Sequence, residues 1–146
     1  MDLGCEFCQI VRGERAARVV ADATDALAFF PLRPVCPGHT LVIPKTHVRD
    51  LWAAGIVPST GLMQAVIGVG QAISTALRPD GLNLISSAGE AASQTVFHLH
   101  LHVVPRWAGD SLGNIWPPSS PLSVEVKDET AAAIRAAYAA VSAGSR

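Results

Sequence analysis

The sequence predicts an α+β fold in which one long helix and additional short helices accompany a five-stranded, mostly antiparallel sheet. Short runs of β-branched and aromatic residues, separated by turns with Pro, Gly or polar residues, are typical of strands. One longer segment instead repeats its apolar residues every three or four positions, which is the period of an amphipathic helix. With 146 residues, the chain is expected to form a single domain over 1–146 that buries a core without disulfides.

Five segments are predicted as strands. A polar turn separates the first two, which indicates a hairpin, and the third lies between a Pro-Gly turn and Pro44. The fifth alternates His with Leu, which is the period of a half-buried strand. The predicted strands are Arg18–Asp22, Ala26–Phe30, His39–Ile43, Leu82–Ser86 and Phe97–Val104.

The long helix is predicted over Ser59–Leu77, because Ser59 is placed to cap its first turn and Pro79 lies just beyond its end. This helix is expected to cover one face of the sheet. Its predicted apolar face consists of Leu62, Val66, Val69, Ile73 and Leu77.

Two shorter helices are predicted, one over His47–Ala54 and an Ala-rich one over Asp128–Val141 that Asp128 would cap. Arg106–Pro121 contains several Pro and Gly residues, so it is predicted as an irregular loop. Residues 106–146 would therefore form a C-terminal loop and helix rather than a second core.

Composition excludes several classes of function. Charged residues make up only 16% of the chain and its net charge is -1, so a nucleic acid polymer is not an expected partner. The N-terminal segment Met1–Glu6 has acidic residues, and no later run approaches the ~20 apolar residues of a membrane span. We therefore expect a cytoplasmic protein without a membrane partner, and the odd number of Cys residues fits a reducing compartment.

The segment Phe97–Val104 carries the most functional information. Its period-2 pattern predicts that His98, His100 and His102 project from one face. Imidazoles can act as nucleophiles, proton carriers or metal ligands near neutral pH. The alternative is an ordinary exposed polar face that happens to contain His. Three of the five His residues of the chain fall within positions 98–102, which argues against this alternative.

A second His-containing segment, Pro37–His47, places His39 at the start of a predicted strand. Together these segments resemble the histidine triad (HIT) superfamily, whose signature is His-x-His-x-His-x-x preceded by a Pro-Gly-His strand. The resemblance covers roughly residues 5–118. It includes Phe7–Glu14, Ala26–Phe30 and Gln94–Val96.

The resemblance implies hydrolysis or transfer of a nucleoside monophosphate from a phosphoramidate or phosphoanhydride. His100 would attack the α-phosphorus and form a covalent nucleotidyl intermediate. His102 and His39 would donate to the non-bridging oxygens, Thr95 would contact the leaving group, and Gln94 would support the phosphate. No catalytic metal is required, and a purine nucleotide, adenylate by default, is the implied substrate.

Cys5-Glu6-Phe7-Cys8 has the spacing of a metal-binding knuckle, although a redox dithiol is an alternative. Similar HIT proteins complete such a knuckle with two His residues. The resemblance thus implies a structural zinc ion that pins residues 1–15 to the nucleophile's strand, with Cys36 outside the set. The implied ligands are Cys5, Cys8, His47 and His98.

The sequence also departs from the family pattern. Pro31 stands where the nucleotide-binding branch has an acidic residue for the ribose hydroxyls, and Ser87 replaces an Asn near the phosphate. Either the sugar specificity has changed, or a backbone carbonyl or a water replaces the carboxylate. Trp116 belongs to a Trp-Pro-Pro segment that either helps select the substrate or is an ordinary turn. The candidate substrate-binding residues are Gln94, Ser87, Phe29, Pro31 and Trp116.

A homodimer is the oligomeric state that the resemblance implies. A nucleotide-binding or interaction protein with little turnover is the main alternative function, and an enzyme for a non-standard nucleotide is another. Nucleotidylyl transfer between sugar phosphates is disfavoured, since that branch has Gln in place of His102.

Overall fold

Five strands form one sheet in which every neighbouring pair is antiparallel, in the order β1-β2-β3-β5-β4. The computed structural model describes residues 2, 4–119 and 121–144. This sheet confirms the predicted α+β fold class. The strands are β1 (Arg18–Asp22), β2 (Ala26–Phe30), β3 (Thr40–Pro44), β4 (Gly81–Ser86) and β5 (Leu101–Arg106).

The fifth strand begins later than the alternating pattern predicts. The Leu99 N–H donates to the carbonyl of Val48, 2.6 Å away, which takes Leu99 out of a strand ladder. The His98 ring donates from Nε2 to the carbonyl of Pro44 at the end of β3. A side chain and a loop therefore take the place of the strand ladder before Leu101, although the side chains still alternate between the two sides of the sheet.

The turn before β3 requires the glycine that the sequence places there. Gly38 has a φ of 84°, a region that L side chains rarely adopt, and a Cβ at this position would collide with the side chain of Leu77. The turn can therefore bring the start of β3 close to the end of the long helix only with Gly at this position.

The long helix α2 (Ile56–Leu77) begins three residues earlier than predicted, with Gly55 as its N-cap. Ser59 consequently lies inside the helix, where its hydroxyl donates to the carbonyl of Gly55. The predicted helix over His47–Ala54 is reduced to one 3-10 turn at Leu51–Ala53, which the carboxylate of Asp50 caps.

Two other helices differ from the prediction. A short helix, α1 (Glu6–Val11), was not predicted, and it contributes Phe7 and Cys8 to the interior. The C-terminal helix α3 (Val124–Gly144) is longer at both ends than predicted, and the Ser123 hydroxyl, rather than Asp128, accepts from an N–H of its first turn. It belongs to the second of two units, Met1–Gly113 and Asn114–Arg146.

The two faces of the sheet have separate apolar clusters. One face packs against α2, whose buried residues meet Leu99, Leu101 and Val103. Each fully buried aliphatic side chain of this kind stabilises the fold by about 1.5–3 kcal/mol. The α2 segment Ser59–Leu77 also has the length and composition of a membrane span. One face of this helix is nevertheless buried against the sheet, as in the core helix of a globular domain. The buried residues of α2 are Leu62, Val66, Val69 and Ile73.

The other face of the sheet packs against α1 and carries the His102 side chain. Here α1 packs through Phe7 against Leu27, Phe29, Leu41 and Ile43. Because side chains alternate along a strand, His102 projects to this side while its neighbours Leu101 and Val103 project towards α2.

Candidate functional site

A cavity of about 550 Å³ lies on the α1 side of the sheet. Its walls are largely apolar and include Phe7, Phe29 and Leu41. The imidazoles of His100 and His102 line the same space, with ring centroids 5.0 Å apart. This volume lies within the range of small-molecule sites, and a few polar groups in an apolar cleft are typical of such sites.

His100 is held in one tautomer. Its side chain is only 7% exposed, and its Nδ1 lies 2.7 Å from the carbonyl oxygen of His98. A carbonyl oxygen can only accept, so Nδ1 carries the proton and donates. The Nε2 of His100 is consequently left with an unshared electron pair, which is the state that a nucleophile needs.

His102 has the opposite tautomer, and His39 sets it. The backbone N–H of Val35 donates to Nδ1 of His39 over 3.2 Å, so the proton of His39 lies on Nε2. That Nε2 donates to Nδ1 of His102 over 2.9 Å. His102 therefore carries its own proton on Nε2 and can donate it to a ligand.

Both nitrogens of His39 are thus engaged within the protein. The sequence predicts His39 as a direct donor to a phosphate, whereas here its single N–H is directed at His102. His39 is also absent from the described lining of the cavity. Its effect on a ligand would be exerted through the orientation and tautomer of His102.

Burial keeps the imidazoles of His102 and His39 neutral. Desolvation, with smaller contributions from His100 and His39, lowers the pKa of His102 to about 4. Burial also lowers the pKa of His39. At neutral pH both rings are therefore uncharged. The hydrogen bonds from Val35 to His39 and from His39 to His102 require this state, because each ring accepts at Nδ1.

Acidification is expected to destabilise the protein between about pH 6.5 and pH 4. In this window unfolded His102 binds a proton that folded His102 excludes, so stability falls as pH falls. The loss attributable to His102 is at most about 1.4 kcal/mol per pH unit, and solvent screening of this partly exposed side chain makes it smaller. Urea unfolding of wild type and His102→Asn at several pH values measures it. The variant should show the shallower pH dependence, and equal slopes would contradict the expectation.

Thr95 lines the cavity beside His100, but Gln94 does not. The Gln94 side chain is buried and its amide is fully used: Oε1 accepts from the Gly89 N–H over 2.8 Å. Its Nε2 donates to the carbonyl of Arg49 over 2.7 Å and to that of Val96. These bonds hold the Gln94 side chain against the backbone of neighbouring segments, and its support of a phosphate stays a prediction.

The other predicted substrate-binding residues separate into three groups. Phe29 and Pro31 line the cavity, Phe29 being almost completely buried. Ser87 is not part of the described lining, so the structure does not bring it to the cavity. Trp116 belongs to the second unit, and its contribution to substrate selection stays a prediction.

A second cluster lies next to the cavity. Its four ligand atoms, two thiol sulfurs and two imidazole nitrogens, all lie within 4.8 Å of one another. The Cys8 Sγ is 3.4 Å from Nδ1 of His47 and 3.6 Å from Nδ1 of His98, and the Cys5 Sγ is 3.5 Å from the same His98 atom. The residues are Cys5, Cys8, His47 and His98, as predicted.

These distances fit a tetrahedral zinc site. Zinc with bonds of about 2.3 Å to sulfur and about 2.0 Å to nitrogen separates neighbouring sulfur and nitrogen ligands by about 3.5 Å. The Nε2–H of His98 donates to the Pro44 carbonyl over 2.9 Å, so Nδ1 presents its electron pair to the sulfurs. Burial raises the pKa of the Cys5 thiol, and a bound cation would offset that cost of the thiolate.

Phe7 connects the cavity to the Cys and His cluster, a role that the sequence motifs do not predict. Its ring meets His98 and His100 edge-on, with centroid distances of 5.8 and 5.4 Å, and also packs against Phe29. An aromatic residue between the two Cys of a knuckle was the available signal. Phe7 thus joins the Cys and His cluster to His100 by ring contacts and forms part of the cavity wall.

Comparison with known proteins identifies related chains. The HIT domain profile matches residues 12–109. The structure of SMU.412c from Streptococcus mutans UA159 is similar, with a TM-score of 0.89 and 34% identity, covering 94% of this chain and 87% of that chain. A Zn-bound histidine triad family protein from Mycobacterium smegmatis is 42% identical, with a TM-score of 0.65, covering 80% of this chain and 85% of that one. Adenylylsulfatase HINT3 of Arabidopsis thaliana is 33% identical over 114 residues, 74% of this chain and 58% of that protein.

Proposed function

The chain belongs to the HIT domain family, and from that premise we propose that it cleaves nucleoside monophosphate conjugates through a covalent intermediate on His100. One observation carries the proposal. The Nε2 of His100 has its electron pair free because Nδ1 donates to the His98 carbonyl, and this imidazole lines an apolar cavity. A nucleophile with a fixed tautomer in a cleft is what covalent phosphoryl chemistry requires.

The proposed reaction has two steps. In the first, Nε2 of His100 attacks the α-phosphorus, a P–N bond forms, and the bond from phosphorus to the leaving group breaks. The leaving group keeps the electron pair and takes up a proton from solvent, with the Thr95 hydroxyl as its hydrogen-bonding partner. In the second step water attacks phosphorus, the P–N bond breaks, the water gives up a proton to solvent and His100 is regenerated.

His102 is the proposed donor to the non-bridging phosphoryl oxygens. Its Nε2–H is available because His39 donates to its Nδ1. A donor that is already oriented stabilises the charge that develops on these oxygens without reorganising during the reaction. His39 is then a positioning residue for His102.

The cavity supports the assignment of a nucleoside as the group that stays bound. Phe7, Phe29 and Leu41 offer apolar and aromatic surface to a base. Pro31 offers no side-chain acceptor to a ribose hydroxyl, so this position is not expected to discriminate strongly between ribose and deoxyribose. The name of the relative adenylylsulfatase HINT3 is in keeping with a nucleoside monophosphate conjugate as the class of substrate.

The proposal is tested with purified protein and two conjugates, adenosine 5′-phosphoramidate and adenosine 5′-phosphosulfate. Release of AMP and a nucleotidyl adduct in the intact mass are the expected results. The quench should be alkaline, because phosphorus–nitrogen bonds of histidine hydrolyse in acid. Nucleotide binding without turnover would favour the alternative, a binding protein that does not act as an enzyme.

A structural zinc ion is the proposed cofactor, held by the Cys2His2 cluster. All four positions would be filled by protein ligands, so the ion would serve stability and not the reaction. The Zn-bound relative from Mycobacterium smegmatis supports this choice of metal over a redox dithiol.

A homodimer is the proposed assembly. The outward side of α2 and the turn before it expose large apolar residues: Trp52 is 82% and Ile67 55% exposed. On the edge strand β4, Leu84 is also exposed. A second copy of the chain would cover these residues. Light scattering should give a dimer mass for the wild type and a monomer mass for Ile67→Glu, whereas a monomeric wild type would contradict the proposal.

A further inference from the structure

Charged residues occur at one part of the otherwise apolar cavity wall. Within the described part of the chain, the acidic and basic residues that line it are Glu6, Arg15 and Arg18. Glu6 begins α1, and Arg15 lies in the loop that leads to β1. Two of these side chains form an ion pair, with Arg15 and Glu6 nitrogen and oxygen atoms 3.3 Å apart.

This pair is accessible to a ligand. The Arg15 and Glu6 side chains are 43% and 37% exposed, so neither is enclosed by the protein. An isolated pair at this exposure contributes little to stability, typically less than about 1 kcal/mol. Its location in the wall of the cavity therefore calls for a role other than holding α1 to the loop.

The register of the sheet places the pair away from the reacting phosphorus. His102 on β5 is opposite Leu41 on β3, and Leu41 is opposite Phe29 on β2. The next strand in this row is β1, which the Arg15 loop precedes. Two to three strand spacings of about 4.8 Å each correspond to about 10–14 Å across the sheet. A nucleoside that extends from His102 along this row directs its base towards the ion pair.

We propose that Glu6 and Arg15 read the hydrogen-bonding edge of the base and favour guanine over adenine. This inference rests on the proposed function. A guanidinium donates well to guanine O6 and N7, and a carboxylate can accept from guanine N1–H and the N2 amino group together. Adenine can satisfy the same pair only with its N6 amino group and one ring nitrogen. Guanine thus makes at least one more charge-assisted hydrogen bond.

The test compares the phosphoramidates of guanosine, inosine and adenosine by kcat/KM. Wild type is expected to prefer guanosine over adenosine by about tenfold or more. Inosine keeps O6 and N1–H but lacks the N2 amino group, so it should fall between them. Glu6→Gln and Arg15→Gln should each bring the guanosine-to-adenosine ratio close to one.

A purely structural ion pair would behave differently, because its loss would lower both rates together and leave their ratio unchanged. Glu14→Gln is the matched control: Glu14 lies in the same loop, pairs with Arg12 and does not line the cavity. It should keep the wild-type ratio. Equal use of guanosine and adenosine by wild type, or a preference that survives Glu6→Gln and Arg15→Gln, would overturn the inference.

Calorimetric binding of GMP and AMP separates this inference from the proposed function. Tighter binding of GMP without turnover of any conjugate would reject the enzyme and retain base reading. Turnover without a base preference would retain the proposed enzyme and reject the proposed recognition of the base.

Discussion

His100→Asn is expected to lower turnover at least about a thousandfold, the largest catalytic effect of any single substitution in the cavity. Asn has no ring nitrogen with a nucleophilic electron pair, so the covalent step is lost. Its side-chain amide can still donate towards the His98 carbonyl that now accepts from Nδ1 of His100. Single-turnover assays with adenosine 5′-phosphoramidate and an intact-mass search for the adduct measure the effect.

Two controls accompany this substitution. Binding of AMP to His100→Asn should stay within about tenfold of wild type, because the residue contributes covalent chemistry more than ground-state affinity. His102→Asn keeps the nucleophile and removes the Nε2–H donor, so the loss should be smaller, about a hundredfold, and the adduct should still form. A His100→Asn protein with more than about a tenth of the wild-type rate would mean that another residue is the nucleophile.

Cys8→Ser is expected to release the metal and produce the largest loss of stability. Cys8 is completely buried, and its Sγ approaches the ring nitrogens of both His47 and His98. A structural zinc ion binds the folded state only, so its binding free energy adds to the free energy of unfolding. We expect a loss of about 3 kcal/mol or more and a fall in Tm of about 10 °C. Elemental analysis and calorimetry measure the two effects.

Cys36→Ser is the matched control for this experiment. Cys36 lies outside the cluster, where its Sγ donates to the carbonyl of Pro105, and a Ser hydroxyl can make a similar bond. Its zinc content should match that of wild type, and its Tm should change far less than that of Cys8→Ser. Wild-type protein without zinc, or equal Tm values for the two variants, would show that the cluster is not a structural metal site.

Loss of zinc should also alter the cavity that His100 lines. Phe7 lies between the two Cys residues of the knuckle and touches both His98 and His100. If the knuckle loosens, this wall of the cavity loses its support. Cys8→Ser is therefore expected to show weaker nucleotide binding as well as lower stability.

The parts of the fold that depend on neighbouring residues could be predicted closely. The bounds of β1 and β2 agree with the prediction, because a hairpin is specified by two short β-rich runs and the polar turn between them. The short helix α1 was missed. A six-residue helix is too short to be stable alone, and this one depends on the burial of Phe7 and Cys8 by distant strands.

The site shows the same division. The sequence motifs indicated His100, His102, Thr95 and the candidate metal ligands; the structure places the first three in one cavity wall and brings the four Cys and His ligands together. The hydrogen-bond partners of Gln94 and His39 could not be predicted, because they lie far away in the sequence. Gln94 reaches back to Arg49, and His39 is joined to His102 across 63 positions.

The sequence by itself determined which residue types would meet on one side of the sheet, because alternation along a strand is a local property of the backbone. The spacing of Cys5 and Cys8 also indicated a candidate metal site, and the resemblance implied His47 and His98 as its other ligands. Only the tertiary structure decided which nitrogen of each imidazole carries the proton. It also decided that Arg15 meets Glu6 in the cavity wall. A tautomer or an ion pair is set by the atoms that approach it in space, and those atoms come from segments whose proximity exists only after the sheet has formed.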